Sequence, residues 1–503
     1  MESYCEFLKK GLRERAGCDT ISAKKDNGEK TKMKQNRLIW TGALLAAAVL
    51  LSACAGKPKD PPTSSGTQEE TEAPAGTVDT SPETEDPMDY EALGKVPFAN
   101  LEASAESDFT VEAGASGVTV TAYIGTGERV RIPDFIGGKP VVAVADGAFR
   151  GKSGIKVLWI PDSVTTFGRN ILVGTASLYA LHTPLPAEEG KQFLGWLFGA
   201  ESYERNNVED LRRIDFLEIG GTPTELPAYA LYDCNDLVTV RLPETVTAIG
   251  GWALARCASL KQVNLSRVTQ VGEGALVGCT SLAEVALPAL EHIGREALGA
   301  CNGLRRLTLP FVGESRTENR FLGWLFGART ALEAEGLYPS GLREVVLTDG
   351  TVPLADYAFY AATMRSVTVG TGATEVGVRA FGGCSNLREV SLPAGITAVR
   401  EHAFSECTAL RTVTLPEGVT ALGINAFLGC TALETVTLPQ TLESLPSGTF
   451  LGCRGLKSVD LGGVRAVGVN AFRGCDALET VNAAGDVSFA EGNDRAEALV
   501  GEN

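Results

Sequence analysis

Three histidines, His182, His292 and His402, are all that this chain of 503 residues offers for imidazole chemistry. A histidine beside a serine or cysteine would serve nucleophilic catalysis, but the three fall at different points of different segments, and no such pair is supported. Twelve cysteines are present, yet none is spaced as C-x-x-C and none has a histidine cluster nearby, so the pattern that holds zinc is missing. The stretch from Gly147 to Ser153, GAFRGKS, is one residue short of the phosphate-cradling G-x-x-x-x-G-K-S loop. Neither G-x-S-x-G nor H-E-x-x-H occurs. No catalytic residue, metal ligand or cofactor site is expected.

Charge is more informative. The formal net charge is -17, which argues against nucleic acid as a partner, because phosphate binding draws on an excess of Lys and Arg. Against that background one column is basic: Lys156, Arg212, Lys261, Arg305, Arg343, Arg365, Arg388, Arg411 and Lys457 each follow an apolar residue at one point of a recurring pattern. Two readings stay open for them, solvated charge paired with neighbours such as Glu284, Glu344 and Glu389, or a linear track for an anion. A second column, the residue expected to point outward from each strand, is varied at its start, with Arg131, Trp159, His182, Asp215 and Arg241, and mostly small hydroxyls afterwards. Both columns are candidate contact sites for a macromolecule.

What positions these residues is a repeat. TALRTVTLPEGVTALGINAFLGC, Thr408 to Cys430, aligns with the segments on either side as a 23-residue unit, L-x-x-V-x-L-P-x-x-V-x-x-h-x-x-x-A-F-x-x-C. Cysteines close successive units at Cys234, Cys257, Cys279 and Cys301, then at Cys384, Cys407, Cys430, Cys453 and Cys475. Their number is odd, and Lys152, Thr175 and Thr363 occupy the same position elsewhere, so buried unpaired thiols are expected rather than disulfides. Each unit holds one short strand, a proline that ends it, a second apolar segment and a tight A-F turn. No unit can bury its apolar face alone, so the period implies a solenoid of stacked coils. About thirteen coils, rising roughly 4.8 Å each, would make a rod on the order of 60 Å long.

The octapeptide FLGWLFGA occurs twice, at Phe193 to Ala200 and Phe321 to Ala328, each time where a coil should run from its strand towards its turn. Both copies are followed by a polar loop, so two coils carry long inserts. The spacing of Phe193, Trp196 and Leu197 fits a buried helical turn, the alternative being an exposed aromatic knob beside the loop that could serve as a contact site.

The repeat, together with IPDFIGGKPVVAVADGAFRG at Ile132 to Gly151, resembles the BspA-like branch of leucine-rich-repeat surface proteins. The resemblance implies a right-handed coil of short parallel strands and extracellular attachment without catalysis. The partner would be a protein on a host or bacterial surface, or alternatively an anionic glycan.

Upstream, MKQNRLIWTGALLAAAVLLSAC from Met33 has a basic start, an apolar run from Leu38 to Leu51 and small residues before Cys54. Its ending resembles a bacterial lipobox, which implies lipid on Cys54 and a body held at the membrane outside the cytoplasm. The expected organisation is an N-terminal extension over 1–32, a lipoprotein signal peptide over 33–53, a Thr/Pro/Glu-rich tether over 54–97, a solenoid over 98–484 and an acidic tail over 485–503.

Overall fold

The strand of each coil ends at a Leu-Pro pair, and the proline opens a turn that delivers the next apolar residue into the interior. Val246, Ile396, Val419 and Leu442 donate their amides to the carbonyls of Pro243, Pro393, Pro416 and Pro439, three residues back, at 3.0 to 3.2 Å. A two-residue strand follows, then the A-F turn, and the chain returns to the next strand one coil further on. The computed structural model describes residues 97–348 and 354–500, all within one unit, Asp86–Asn503. The extension, the signal peptide, Cys54 and the tether up to residue 96 lie outside the described residues.

The main strands pair in parallel, in three sheets of six, five and four strands. The first runs from Arg129–Arg131 through Val157–Trp159, Ala180–Thr183, Phe216–Ile219 and Thr239–Arg241 to Gln262–Val263. The second spans Glu284–Ala286 to Glu389–Ser391, and the third Thr412–Thr414 to Thr480–Asn482. Register is kept from coil to coil, so equivalent residues stand in columns, as in Val367 opposite Val390 and Val436 opposite Val459. The solenoid has about 16 turns, more than the thirteen that the repeat spacing implies. The coils at the ends and those with inserts do not keep the 23-residue spacing by which coils are counted in the sequence.

The interior is a set of matching columns. Phe359, Phe381, Phe404, Phe427, Phe450 and Phe472 stack ring on ring, with centroids 4.9 to 5.5 Å apart and planes within 18° of parallel. This stack also measures the rise of a coil. In several coils a glycine ahead of the A-F turn stands directly against the coil before it. A Cβ on Gly250, Gly272 or Gly423 would sit 2.2 to 2.4 Å from a backbone nitrogen of the coil before it, so only glycine allows the approach there.

Both ends are closed. At the start, Phe109–Ala113 and Val118–Tyr123 form an antiparallel hairpin, and the second strand passes into parallel pairing with Lys139–Val144. At the end, the segment read as an acidic tail from 485 is structured. Ser488–Phe489 adds a last strand beside Ala466–Val467, and a helix, Asp494–Val500, buries Ala496. The repeat pattern stops at residue 484 because a capping element has no following coil to match. No helix among the described residues is long and apolar enough to cross a membrane.

Candidate functional site

The backbone ladder decides which charged residues share a column. Arg305 donates its amide to Ala283, Arg343 to Arg305, Arg365 to Arg343 and Arg388 to Arg365, at 2.7 to 2.8 Å, and Glu434 donates to Arg411 at 2.8 Å. Arg305, Arg343, Arg365 and Arg388 therefore stand on consecutive coils of one ladder, and Arg411, at the same point of the repeat on the next coil, begins the following sheet; Ala283 bounds the five on one side and Glu434 on the other. The long insert after Arg305 does not interrupt the column. All five side chains are exposed.

Their neighbours do not neutralise them. Glu284 and Glu344 both lean on Arg306, at 3.8 and 3.4 Å, and no ion pair of the five column arginines or of Glu389 is present among the described residues. The other members of the sequence-derived stripe differ. Lys156 pairs with Glu128 at 2.7 Å and Lys457 with Glu434 at 3.3 Å. Lys261 is exposed but stands alone in its column, following Val238.

Arg212 does not belong to the column. It lies in a short 3-10 turn, Leu211–Arg213, and its Nε donates to Asn207 Oδ1 at 2.7 Å. The column position in that coil is Asp215, which donates its amide to Tyr179. Asp215 is correspondingly not on the outward strand column, where Glu218 stands opposite His182 and Arg241. The cause is a three-residue slip: Leu211 and Ile214 are both buried, and either can be taken as the first apolar residue of the unit.

The varied start of the strand face is covered, which the reading as an open contact surface did not anticipate. Phe98 packs edge-on against Trp159, His182 and Phe216, with centroids 5.4 to 6.0 Å apart, and Leu101 joins the same cluster over Val157 and Ala180. Trp159 and His182 stack at 3.4 Å, and Arg131 lies over Trp159 at 5.3 Å. His182 is only 3% exposed and bridges two carboxylates, Nδ1 to Glu218 at 3.0 Å and Nε2 to Asp162 at 2.9 Å. Arg241 sits over Phe216 and reaches Glu218 at 3.9 Å. Further along, Thr368, Ser391, Thr414 and Thr437 are exposed as expected.

The nine repeat cysteines are buried and unbridged. Eight of them donate across coils: Cys430 Sγ to Phe404 O and Cys453 Sγ to Phe427 O, both at 3.1 Å, exemplify the contact. Burial pushes the thiols of Cys301 and Cys384 up to about 12. Thr175 replaces the thiol with a hydroxyl that also donates to a carbonyl, Leu172 O at 2.7 Å.

Each FLGWLFGA forms a 3-10 helix, Leu194–Phe198 or Leu322–Phe326, closed by a glycine in the left-handed region. It stands in for the A-F turn of its coil. Leu194 donates to Ala230 and Leu322 to Ala358 in the next turn, while Leu172 and Leu298 donate back to Leu197 and Leu325. The leucines and phenylalanines are buried, and Trp196 and Trp324 are half-buried against them. A groove of about 600 Å³ lies beside Trp324, but its polar groups already pair with one another: Trp324 Nε1 with Ile293 O, His292 with Glu314 and Arg295 with Glu273. No group of three or more metal-ligating side chains occurs among the described residues.

A chain whose turns each add one short parallel strand to a register-locked ladder, around columns of Leu, Val, Phe and Cys, is a leucine-rich-repeat solenoid. Residues 206–321 and 352–484 match the BspA type leucine rich repeat region, in 6 copies, and the chain belongs to that family. Similar solved structures include a leucine-rich cell surface protein of Faecalibacterium prausnitzii, at 22% identity over 79% of this chain and 97% of that one, with a TM-score of 0.29. A leucine-rich repeat protein of Bacteroides ovatus is 20% identical over 76% of this chain and 98% of its own, with a TM-score of 0.35. The pneumococcal vaccine antigen PcpA is 16% identical over 76% and 96%, with a TM-score of 0.26. No curated protein matches the chain.

Proposed function

We propose that this protein is a non-catalytic, adhesin-like binding protein outside the cytoplasm, held to the membrane through Cys54, and that its binding surface is the arginine ladder. The observation that carries this reading is the run of five exposed arginines on consecutive coils without carboxylate partners, in a chain of net charge -17. Like charges about 5 Å apart repel by at most about 0.8 kcal/mol per pair in water, so the fold tolerates the ladder unaided. An anionic macromolecule lying along it would relieve that repulsion and make several contacts at once, which accumulate into affinity through multivalency. A protein partner on the strand face has less support, because the first coils of that face are covered by Phe98 and Leu101 and the later ones present mostly small hydroxyls.

The test replaces Arg343, Arg365, Arg388 and Arg411 with Gln and measures binding to heparin at low and high salt. The variant should bind more weakly and with a flatter salt dependence, since fewer screened contacts remain, while its melting temperature stays unchanged. Equal binding by parent and variant at both salt concentrations would remove the ladder from the function.

A further inference from the structure

The ladder has a fixed pitch, a fixed length and a second row of polar groups, and these three properties select among anionic polymers. Resting on the anion-binding reading above, we propose that the ladder takes an extended polysaccharide carrying one negative group per sugar, and that it reads about five sugars.

The pitch is that of the coils. Across the coils of Arg365, Arg388 and Arg411 the phenylalanine rings are 4.9 to 5.2 Å apart, and backbone bonds join Arg305, Arg343 and Arg365 directly, so the side chains are rooted at about one coil's rise. An extended peptide presents acidic side chains on one face at every second residue, roughly 6.8 Å apart, and falls out of step with the ladder within about two coils. A pyranose chain linked through opposite sides of its ring advances by nearly one coil per sugar and turns over at each link, so its same-face anionic groups recur at about every second coil and stay in step with the ladder. Guanidinium is suited to this, because its planar fork pairs with carboxylate or sulfate through two parallel hydrogen bonds.

The second row is neutral. A groove of about 230 Å³ runs beside the column and is lined by Ser340, Thr363 and Asn386 next to Arg343, Arg365 and Arg388. Three successive coils thus each place a polar side chain beside a cation, although the Thr363 hydroxyl already donates to Pro339 O at 3.0 Å and offers a sugar only its lone pairs. No aromatic side chain lines this groove, so the stacking platform that single-stranded nucleic acid uses is missing from it. Length follows from the bounds: Ala283 gives no charge before Arg305, and Glu434 gives an opposing one after Arg411.

The experiment titrates the full chain with oligogalacturonates of two to ten residues, with oligoglutamates of equal charge and with oligothymidylate, at one salt concentration. Affinity for the oligogalacturonates should rise steeply to about five residues and then level, exceeding that for oligoglutamate of equal charge at least tenfold. Asn386→Ala with Thr363→Val should lower sugar affinity several-fold and leave oligoglutamate binding unchanged. Equal affinity for oligoglutamate or oligothymidylate, or a gain that continues undiminished to ten sugars, would overturn this inference while leaving a general anion track standing. Loss of nothing in the Arg→Gln variant above would remove both.

Discussion

At a buried repeat cysteine the side chain is a small apolar filler with one proton to donate, and burial keeps that proton in place. Cys301 and Cys384 have an ordinary value of 9.0 and reach about 12 in the folded protein. In the unfolded chain these thiols ionise from about pH 9, while in the folded protein they stay neutral to about pH 12. Their contribution is therefore complete below pH 9 and is lost between pH 9 and 12, at about 1.4 kcal/mol per pH unit for each thiol. Urea denaturation between pH 8 and 11 should show stability falling above pH 9, and the double variant Cys301→Ser, Cys384→Ser should fall less steeply, since serine does not titrate in this range. Serine also retains a donor; Thr175, at the same position of its coil, is buried with its hydroxyl bonded to Leu172 O rather than across coils. Identical slopes for parent and variant would mean that the thiols are not held neutral.

The coil is the element whose demands are local, and for that reason most of it was legible. A strand, a stopping proline and an A-F turn recur because each coil must bury the same face against the same neighbour. The central member of the phenylalanine stack shows how much one coil depends on the next. Phe404 is fully buried, with Phe381 and Phe427 at 4.9 and 5.2 Å on either side. Phe404→Ala should cost about 3–5 kcal/mol, measurable by chemical denaturation, whereas Phe404→Leu should cost clearly less because leucine fills that column in Leu231, Leu254 and Leu276. What was not legible was anything that breaks the period. Leu211 and Ile214 are equally apolar and three residues apart, so Arg212 was placed on the ladder where Asp215 belongs. The covered strand face did leave a signal: Val157, Ala180 and Phe216 are apolar on the outward side of their strands, and a strand apolar on both faces is buried on both. Its cover, Phe98, comes from a segment outside the repeat and could not be assigned to that face from spacing alone.

For the molecule as a whole, the open ends of a parallel stack are the places where copies would join. The C-terminal end is closed by side chains as well as by the helix. Asn493 accepts from the Phe472 amide at 3.0 Å and donates to Gly468 O at 2.9 Å, taking the part of a following coil, and Arg495 Nε donates to Leu478 O at 2.8 Å. Truncation after Ala490 strips these partners and uncovers the last strand. The truncated protein should self-associate in a concentration-dependent way in sedimentation velocity, and the parent should not under the same conditions. A truncated protein that stays monomeric would assign the end protection to the last strand itself.

The segment at Pro97 to Leu101 has a mechanical consequence. It is fastened to several coils at once, through Arg129 to the carbonyl of Pro97 at 2.9 Å and through the ring of Phe98 among Trp159, His182 and Phe216. Tension delivered through the chain before Pro97 meets this crosswise fastening before it meets the hairpin or the first coil. A pull along it would be shared by contacts on four strands, at Arg129, Trp159, His182 and Phe216. On the anchoring proposed above, the coil stack and its arginine column lie behind those contacts.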